Sequence, residues 1–254
     1  MVDYFFVLGY NESLPMSRDI SHTWQVNVKE LPENHPDYKP AESDSAALEA
    51  NYARVLDRLR NFDGVEAVGV LEIYSSPNSG SYMGSGYRNK TDTLKEAWGQ
   101  IVNFDPREDF FRVFNYRYPD GKPVSVEDFD WADPNAMVIC KQSSDLLFGN
   151  EGGIGKEVGY EEETRVIKGV VGDIKRFSYM RPQCTFYLPM KMDADNLEDM
   201  EISIRSSDMY SDAVFLRNPR LMQKLIDERE KTQTAAFRDW FADSKATNTT
   251  GEPL

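Results

Sequence analysis

Cysteine and histidine are nearly absent from this chain, with two of each in 254 residues. So few cysteines exclude a disulfide-rich scaffold and the usual four-ligand zinc patterns. Cys140 and Cys184 both lie in apolar runs and read as small core residues, and their spacing leaves open whether they are bridged. His22 stands at a strand start and His35 beside a proline in a polar loop, with no H-E-x-x-H pair and no G-x-S-x-G elbow to complete a catalytic triad. Long apolar runs are missing as well: nothing reaches the roughly 18 residues of a membrane span. The opening "MVDYFFVLGYNESLP" carries Asp3 in place of a basic leader and does not read as a signal peptide. Positive charge is also short. Against 43 acidic side chains stand 29 lysines and arginines, a formal net charge of −14. No basic stripe exists to neutralise phosphates, so no nucleic-acid partner is expected.

Glycine is concentrated in "LLFGNEGGIGK", residues 146–156, which superficially resembles a phosphate loop. A phosphate loop needs G-x-x-x-x-G-K-[ST], so that backbone amides wrap the phosphates and a hydroxyl reaches magnesium. Asn150 occupies the place of the first glycine, and Glu157 sets a carboxylate where the hydroxyl belongs. The acidic stretch "DADNLEDME" fails as a calcium loop, because Leu197 takes the fifth ligand position and the obligatory glycine is missing. No carboxylate pair stands out among the many acids. The expectation is a chain with no catalytic residues, no metal site and no cofactor.

Periodicity organises what is present. Trp24, Val26 and Val28 alternate in "HTWQVNVKEL", a strand. Leu48, Tyr52, Val55, Leu56, Leu59 and Phe62 recur at helical spacing, with Ser43 or Ser45 as N-cap and Gly64 past the end. "VEAVGVLEIY" follows as a strand apolar on both faces, giving a split or parallel βαβ unit. At "SSPNSGSYMGSGYRN" the regular pattern stops, and residues 75–99 read as a loop. Beyond it lie strands and short helices. "DFFRVFNYRYPDGKPVS" turns at Pro119-Asp120-Gly121, "NAMVICKQSSDLLFGN" is a strand running into a helix that Gly149 ends, and "TRVIKGVVGDIKRF" and "CTFYLPM" are strands. "MEISIRS" is one more strand, and Asn218-Pro219 opens a last helix before a polar tail.

The fold class expected is therefore α+β, with a discontinuous architecture. A βα layer comes from 20–74 and 200–243, a β-rich unit from 75–199 is inserted into it, 1–19 leads in, and 244–254 is a tail. Tyr4, Phe5, Phe6 and Tyr10 either pack as a first element or form an interfacial aromatic collar beside a membrane.

In its middle third the chain resembles the periplasmic core domain of MacB/FtsX-type ABC-transporter permeases. The likeness rests on Phe110 and Phe111 leading to Asp120-Gly121, then Phe148-Gly149, then Ile154-Gly155-Lys156, then Gly169-Val170-Val171-Gly172-Asp173, all in order across about 108–189. "VLDRLRNFDGVEAVGVLE" resembles the helix and strand that precede this region in the family. The resemblance implies that the Phe110 segment is an aromatic-led strand. It implies a porter-like α/β subdomain interrupted by a β-rich, Sabre-like one, with Gly149 and Gly155 as structural turn residues and Lys156 as a surface charge.

It further implies a non-enzymatic, extracytoplasmic piece of a longer permease on the periplasmic side of the bacterial inner membrane. Its partners would be the permease's own membrane helices, a cytoplasmic ATPase subunit acting indirectly, a second permease copy or paralogue, and a periplasmic adaptor or substrate. Candidate partner contacts are Tyr82, Met83, Tyr87 and Trp98, aromatic and sulfur side chains amid Gly and Ser. The alternative is a stand-alone soluble ligand-binding protein or carboxylate-based hydrolase with its pocket between the subdomains.

Overall fold

The structure is a computed structural model that describes residues 10, 13, 14, 16–26, 34, 36, 45–77, 82–160, 162–176, 180–191, 193, 196 and 199–207. His35, the aromatics at 4–6, the helix expected after Asn218 and the polar tail lie outside the described residues. Nine strands form one hydrogen-bonded network: β1 (Thr23–Val26), β2 (Val65–Glu72), β3 (Met83–Asn89), β4 (Glu96–Phe104), β5 (Ala136–Cys140), β6 (Glu157–Tyr160), β7 (Glu163–Val171), β8 (Cys184–Pro189) and β9 (Met200–Ser206). Helices fully described alongside them are α1 (Ser45–Arg60), α2 (Phe110–Val113) and α3 (Lys141–Phe148). Among the described residues the protein is a sheet-rich α+β body with few helices.

The first layer is built as the periodicity predicts. Tyr52, Val55, Leu56 and Leu59 share one face of α1 and pack on Val68, Val70, Ile202 and Ile204 of the sheet. Arg58 and Arg60 sit in the last helical turn, where the helix dipole favours cations. Strand β9 runs antiparallel to both β1 and β2 and lies between them, so β1-α1-β2 is a split βαβ unit. The other face of β2 is covered too. Ala67 and Leu71 belong to a cluster with Phe110, Phe111, Val113 and Phe114, which accounts for the apolar residues on both sides of this strand.

Strands β3, β6, β7, β5 and β8 continue in that order from β4, and β8 pairs again with β4, closing a six-stranded barrel. Its interior draws on every strand of the ring: Tyr87, Ala97, Met137, Ile139, Val158, Ile167, Cys184, Phe186 and Leu188, with Leu147 and Phe148 entering from α3. Barrels of this size are filled by side chains. The outer face of β4, β5, β7 and β8 supplies Val102, Phe104, Val138, Val171 and Tyr187 to a second core, packed against the aromatic segment 110–131. Phe104 is fully buried there and stacks at 5.1 Å on Phe110 and at 5.2 Å edge-on to Trp131.

Two readings of the sequence are corrected. Residues 83–89 and 96–104 are strands, not part of a loop. Gly84, Ser85 and Gly86 erase the apolar alternation, and pairing with β4 and β6 supplies the order that their side chains do not. The Phe110 segment is a short helix instead of an aromatic-led strand. Asp109 caps it by accepting from the Arg112 amide, and the chain then folds back through a tight turn in which Gly121 has φ +88°.

Both cysteines are free and buried. Burial pushes the Cys140 thiol up to about 12 and raises Cys184, so both stay protonated in the core, where the Cys140 sulfur also caps α3 by accepting from the Ser143 amide.

Barrel closure depends on Gly99. A Cβ there would meet the backbone carbonyl carbon of Cys184 at 2.5 Å, so β4 and β8 can approach only with hydrogen at this position. Gly99→Ala is expected to cost about 3 kcal/mol, read from chemical denaturation, because backbone and not a flexible side chain must give way. A loss of only a few tenths would show that the strands can part freely.

Glu201 on β9 is 5% exposed and accepts hydrogen bonds from Gln25 and, at 3.0 Å, from Ser203. Burial raises its carboxyl above the ordinary 4.5, against the pull of those donors. The folded protein thus holds this proton more tightly than the unfolded chain. Its contribution is complete below the ordinary value and is lost as pH rises through the raised one. Melting temperatures of Glu201→Gln should therefore gain on the parent between about pH 4 and pH 7. A pH-independent difference would contradict this assignment.

Candidate interaction surface

Register sorts the β3–β4 hairpin into two faces. Met83↔Ile101, Ser85↔Gly99 and Tyr87↔Ala97 lie on one, and Gly84↔Gln100, Gly86↔Trp98 and Arg88↔Glu96 on the other. The first face lines the barrel. Tyr87 is 2% exposed and packs at 4.8 Å from the Phe186 ring, so it is a core residue and not a partner contact. The reading of 83–99 as irregular loop hid the two-residue alternation that sends Tyr87 inward.

The second face looks outward. Trp98 is 63% exposed, and its ring lies over Gly86, where a Cβ would come within 2.5–2.8 Å of three ring atoms. Tyr82, 53% exposed, places its ring 3.5 Å from the equivalent point at Gly84 and carries the Arg176 guanidinium 4.8 Å from its centroid. Gln100 lies opposite Gly84, and Arg88 and Glu96 pair at 3.0 Å. Met83 belongs by register to the inward face, but as the first residue of β3 it is 41% exposed at the rim. Of the four candidate contacts, Tyr82 and Trp98 are thus displayed outward and Met83 is exposed at the rim. Sequence reasoning missed Gln100 and Arg176, the first for want of the cross-strand register and the second because it reaches Tyr82 from beyond the end of β7.

The signature residues of the resemblance lie elsewhere and are architectural. Phe148 fills the barrel. Gly149 caps α3 at φ +62°, and Gly155 takes φ +79° where the chain re-enters β6. The Gly155 amide donates to the Ile167 carbonyl at 2.8 Å, and the Ile167 amide returns a bond to Lys156. Lys156 is partly screened: its ammonium pairs with Glu151 at 2.8 Å and stands 5.2 Å over the Phe148 ring. Ile154 is exposed. The Phe129 ring packs directly over Gly169, Val170 joins the barrel core and Val171 the aromatic core. Asp173 accepts from the Gln142 amide at 2.7 Å, satisfying one open donor at the start of α3, while its carbonyl accepts from Ser17.

Carboxylates are brought together in one place. A cleft of about 420 Å³ between α1 and residues 105–108 is bordered by Ala46, Ala50 and Ala53 on the helix side. Arg60 bridges both oxygens of Glu108, which is 5% exposed, and Arg107 grips Asp105, which is 1% exposed, with its Nε at 2.9 Å from one oxygen. Burial raises the Glu108 carboxyl against the pull of Arg60. Both of these acids are occupied by a guanidinium, and the Arg60–Glu108 pair ties the segment after β4 to α1. A second cleft of about 280 Å³ is lined by Tyr10, Leu14, Gln142, Asp173, Arg181 and Pro182. Among the described residues, no group of three or more His, Cys, Asp or Glu side chains is placed to hold a metal ion, and no helix is long and apolar enough to cross a membrane.

Three solved structures are similar to this chain. A domain assigned to a permease protein from Porphyromonas gingivalis is 16% identical, with a TM-score of 0.46 over 70% of this chain and 75% of that one. The extracellular domain of YknZ, a noncanonic ABC-type transporter from Gram-positive bacteria, is 17% identical, with a TM-score of 0.40 over 72% and 88%. The periplasmic region of MacB from Actinobacillus actinomycetemcomitans is 14% identical, with a TM-score of 0.44 over 85% and 96%. No family model matches the chain, and no curated protein does.

Gly155→Val should cost about 1–3 kcal/mol, because open space surrounds its Cβ position and the whole penalty is backbone strain. Asp173→Ala should cost about 1 kcal/mol through the uncapped α3. Denaturant titration of the two single variants checks both, and an unchanged midpoint in either would remove that residue from the scaffold.

Proposed function

We propose that this chain is a non-catalytic extracytoplasmic domain of a bacterial ABC-transporter permease, lying on the periplasmic side of the inner membrane. In this reading it couples ATP hydrolysis by a cytoplasmic ATPase subunit, through the permease's own membrane helices, to substrate export or to a periplasmic partner. A second permease copy or paralogue would stand opposite it. Residues 20–74 with 200–243 would form the porter-like part, and 75–199 the inserted Sabre-like part.

The observation that carries the reading is a division of labour among residues. Phe148, Gly149, Gly155, Gly169, Val170, Val171 and Asp173, which carry the resemblance, hold the barrel, its turns and its helix cap together. The exposed candidate contacts Tyr82 and Trp98 stand on the outer surface of that same barrel, with Met83 exposed at its rim. A domain moved by membrane helices needs this combination: a body that transmits displacement without deforming, and contact groups mounted on its outside.

The experiment is a transport or signalling assay of the whole permease carrying Tyr82→Ser and Trp98→Ser. Trp98→Phe, which keeps a ring over Gly86, serves as the control for folding, and the double variant should lower activity by about tenfold relative to it, the equivalent of about 1.4 kcal/mol of lost partner contact. Full activity of the double variant would exclude this face from the coupling.

A further inference from the structure

The cleft of about 280 Å³ at the start of α3 holds opposite charges that the fold leaves apart. Asp173 offers one carboxylate oxygen to the Gln142 amide at 2.7 Å, and its second oxygen has no partner among the described residues. Arg181 lines the same cleft, is exposed, and forms no ion pair or hydrogen bond among the described residues. The cleft beside α1 behaves differently, since its acids and guanidiniums are joined as Arg60 with Glu108 and Arg107 with Asp105. The side chain of Gln142 also lines the α3 cleft, and its Oε1 is buried without a donor. Polar groups withdrawn from water and left unmatched cost stability, so native proteins keep few of them. The remaining wall is supplied by Leu14, Pro182 and Tyr10.

We propose that this cleft binds a free α-amino acid with an apolar side chain. Its ammonium lies on Asp173, its carboxylate on Arg181, and its side chain against Leu14, Pro182 and Tyr10. The two charges select the ligand class. A simple anion is drawn to Arg181 but repelled by Asp173, and a simple cation meets the reverse. A small molecule carrying both signs satisfies both groups at once. Guanidinium and carboxylate match as two parallel charge-assisted hydrogen bonds, which are stronger than neutral ones. The Gln142 amide adds neutral recognition, because turning about its last bond presents either a donor or an acceptor. Size agrees, since the cleft falls below the roughly 300–1,000 Å³ of pockets for drug-sized ligands. The site also spans a joint. Leu14 belongs to the segment before β1, whose Ser17 amide bonds to the Asp173 carbonyl at 3.0 Å, whereas Gln142 and Asp173 belong to the barrel unit. A bound amino acid adds contacts across that joint, and so favours the state in which the segment is held on the barrel.

The test is a titration of the full 254-residue chain with L-leucine, followed through the backbone amide signal of Gln142 by NMR. Saturable movement with a dissociation constant of about 0.1–1 mM is expected. N-acetyl-leucine lacks the ammonium and leucinamide lacks the carboxylate, and each should bind at least about tenfold more weakly than leucine. Arg181→Gln should lose about tenfold in leucine affinity and should also abolish the preference for leucine over leucinamide, which a general loss of structure would not do selectively. Asp173→Asn keeps an acceptor for the Gln142 amide while removing the charge, and should likewise weaken leucine by about tenfold. Absence of saturation with leucine, equal binding of either analogue, or unchanged leucine affinity in Arg181→Gln would each overturn the assignment.

Discussion

Strand β4 belongs to two structures at once, and the rest of the molecule depends on how it manages this. Along most of its length it is a barrel strand, antiparallel to β3 and parallel to β8. At its last residue, Phe104, it pairs with Leu71 of β2 and so joins the three-stranded layer. The closure at Gly99 sets how near β8 may come, and the register that follows carries Phe104 into the aromatic core between the two units. Displacing β4 would therefore disturb the barrel interior, the aromatic core and the inter-unit pairing together.

The aromatic core reinforces that junction from the other side. Phe104, Phe110, Phe111, Tyr116 and Tyr187 contact one another at ring separations between 5.1 and 6.2 Å, mostly tilted or edge-on. Such geometry fixes orientation as well as burying area. The segment before β1 is laced across the same region: Ser17 bonds to Asp173 and Arg117, the Asp19 amide bonds to Phe114, and Arg205 of β9 reaches the Asp19 carboxylate at 3.3 Å and the Val113 carbonyl at 3.3 Å. Movement entering through that segment would be passed to both units at once. Such a joint transmits force better than it stores flexibility.

What could be read from the sequence divides along physical lines. Where side chains repeat with the period of the backbone, as in α1, β2, β5 and β7, the elements were legible, and so was a βαβ unit, though whether it was split or parallel was decided only by the pairing of β9 between its strands. Turn glycines were legible at Gly149 and Gly155, because only a few backbone conformations demand that residue. The hairpin of β3 and β4 was not. Its glycines carry no pattern of their own, and the alternation becomes visible only when Trp98 and Gln100 are set across from Gly86 and Gly84. The same blindness misassigned Tyr87, whose inward direction follows from the register alone. Barrel closure was also beyond reach, since parallel pairing of β4 with β8 joins segments more than eighty residues apart and leaves no local trace.

The glycines of β3 bear directly on what the outer face is for. A tryptophan covering a cross-strand glycine stabilises a sheet by shielding backbone that would otherwise be solvated, and this accounts for one side of the Trp98 ring. It does not account for the other side. A smaller apolar residue at position 98 could shield Gly86 without leaving a large ring 63% exposed, nor does backbone shielding require a second exposed aromatic, Tyr82, at the neighbouring glycine. Trp98 stands on β4, whose inward residue Ala97 is locked in the barrel core, so its position is fixed before any partner arrives. Binding then orders little that is not already ordered, which is the condition under which a small exposed surface can still recognise a ligand.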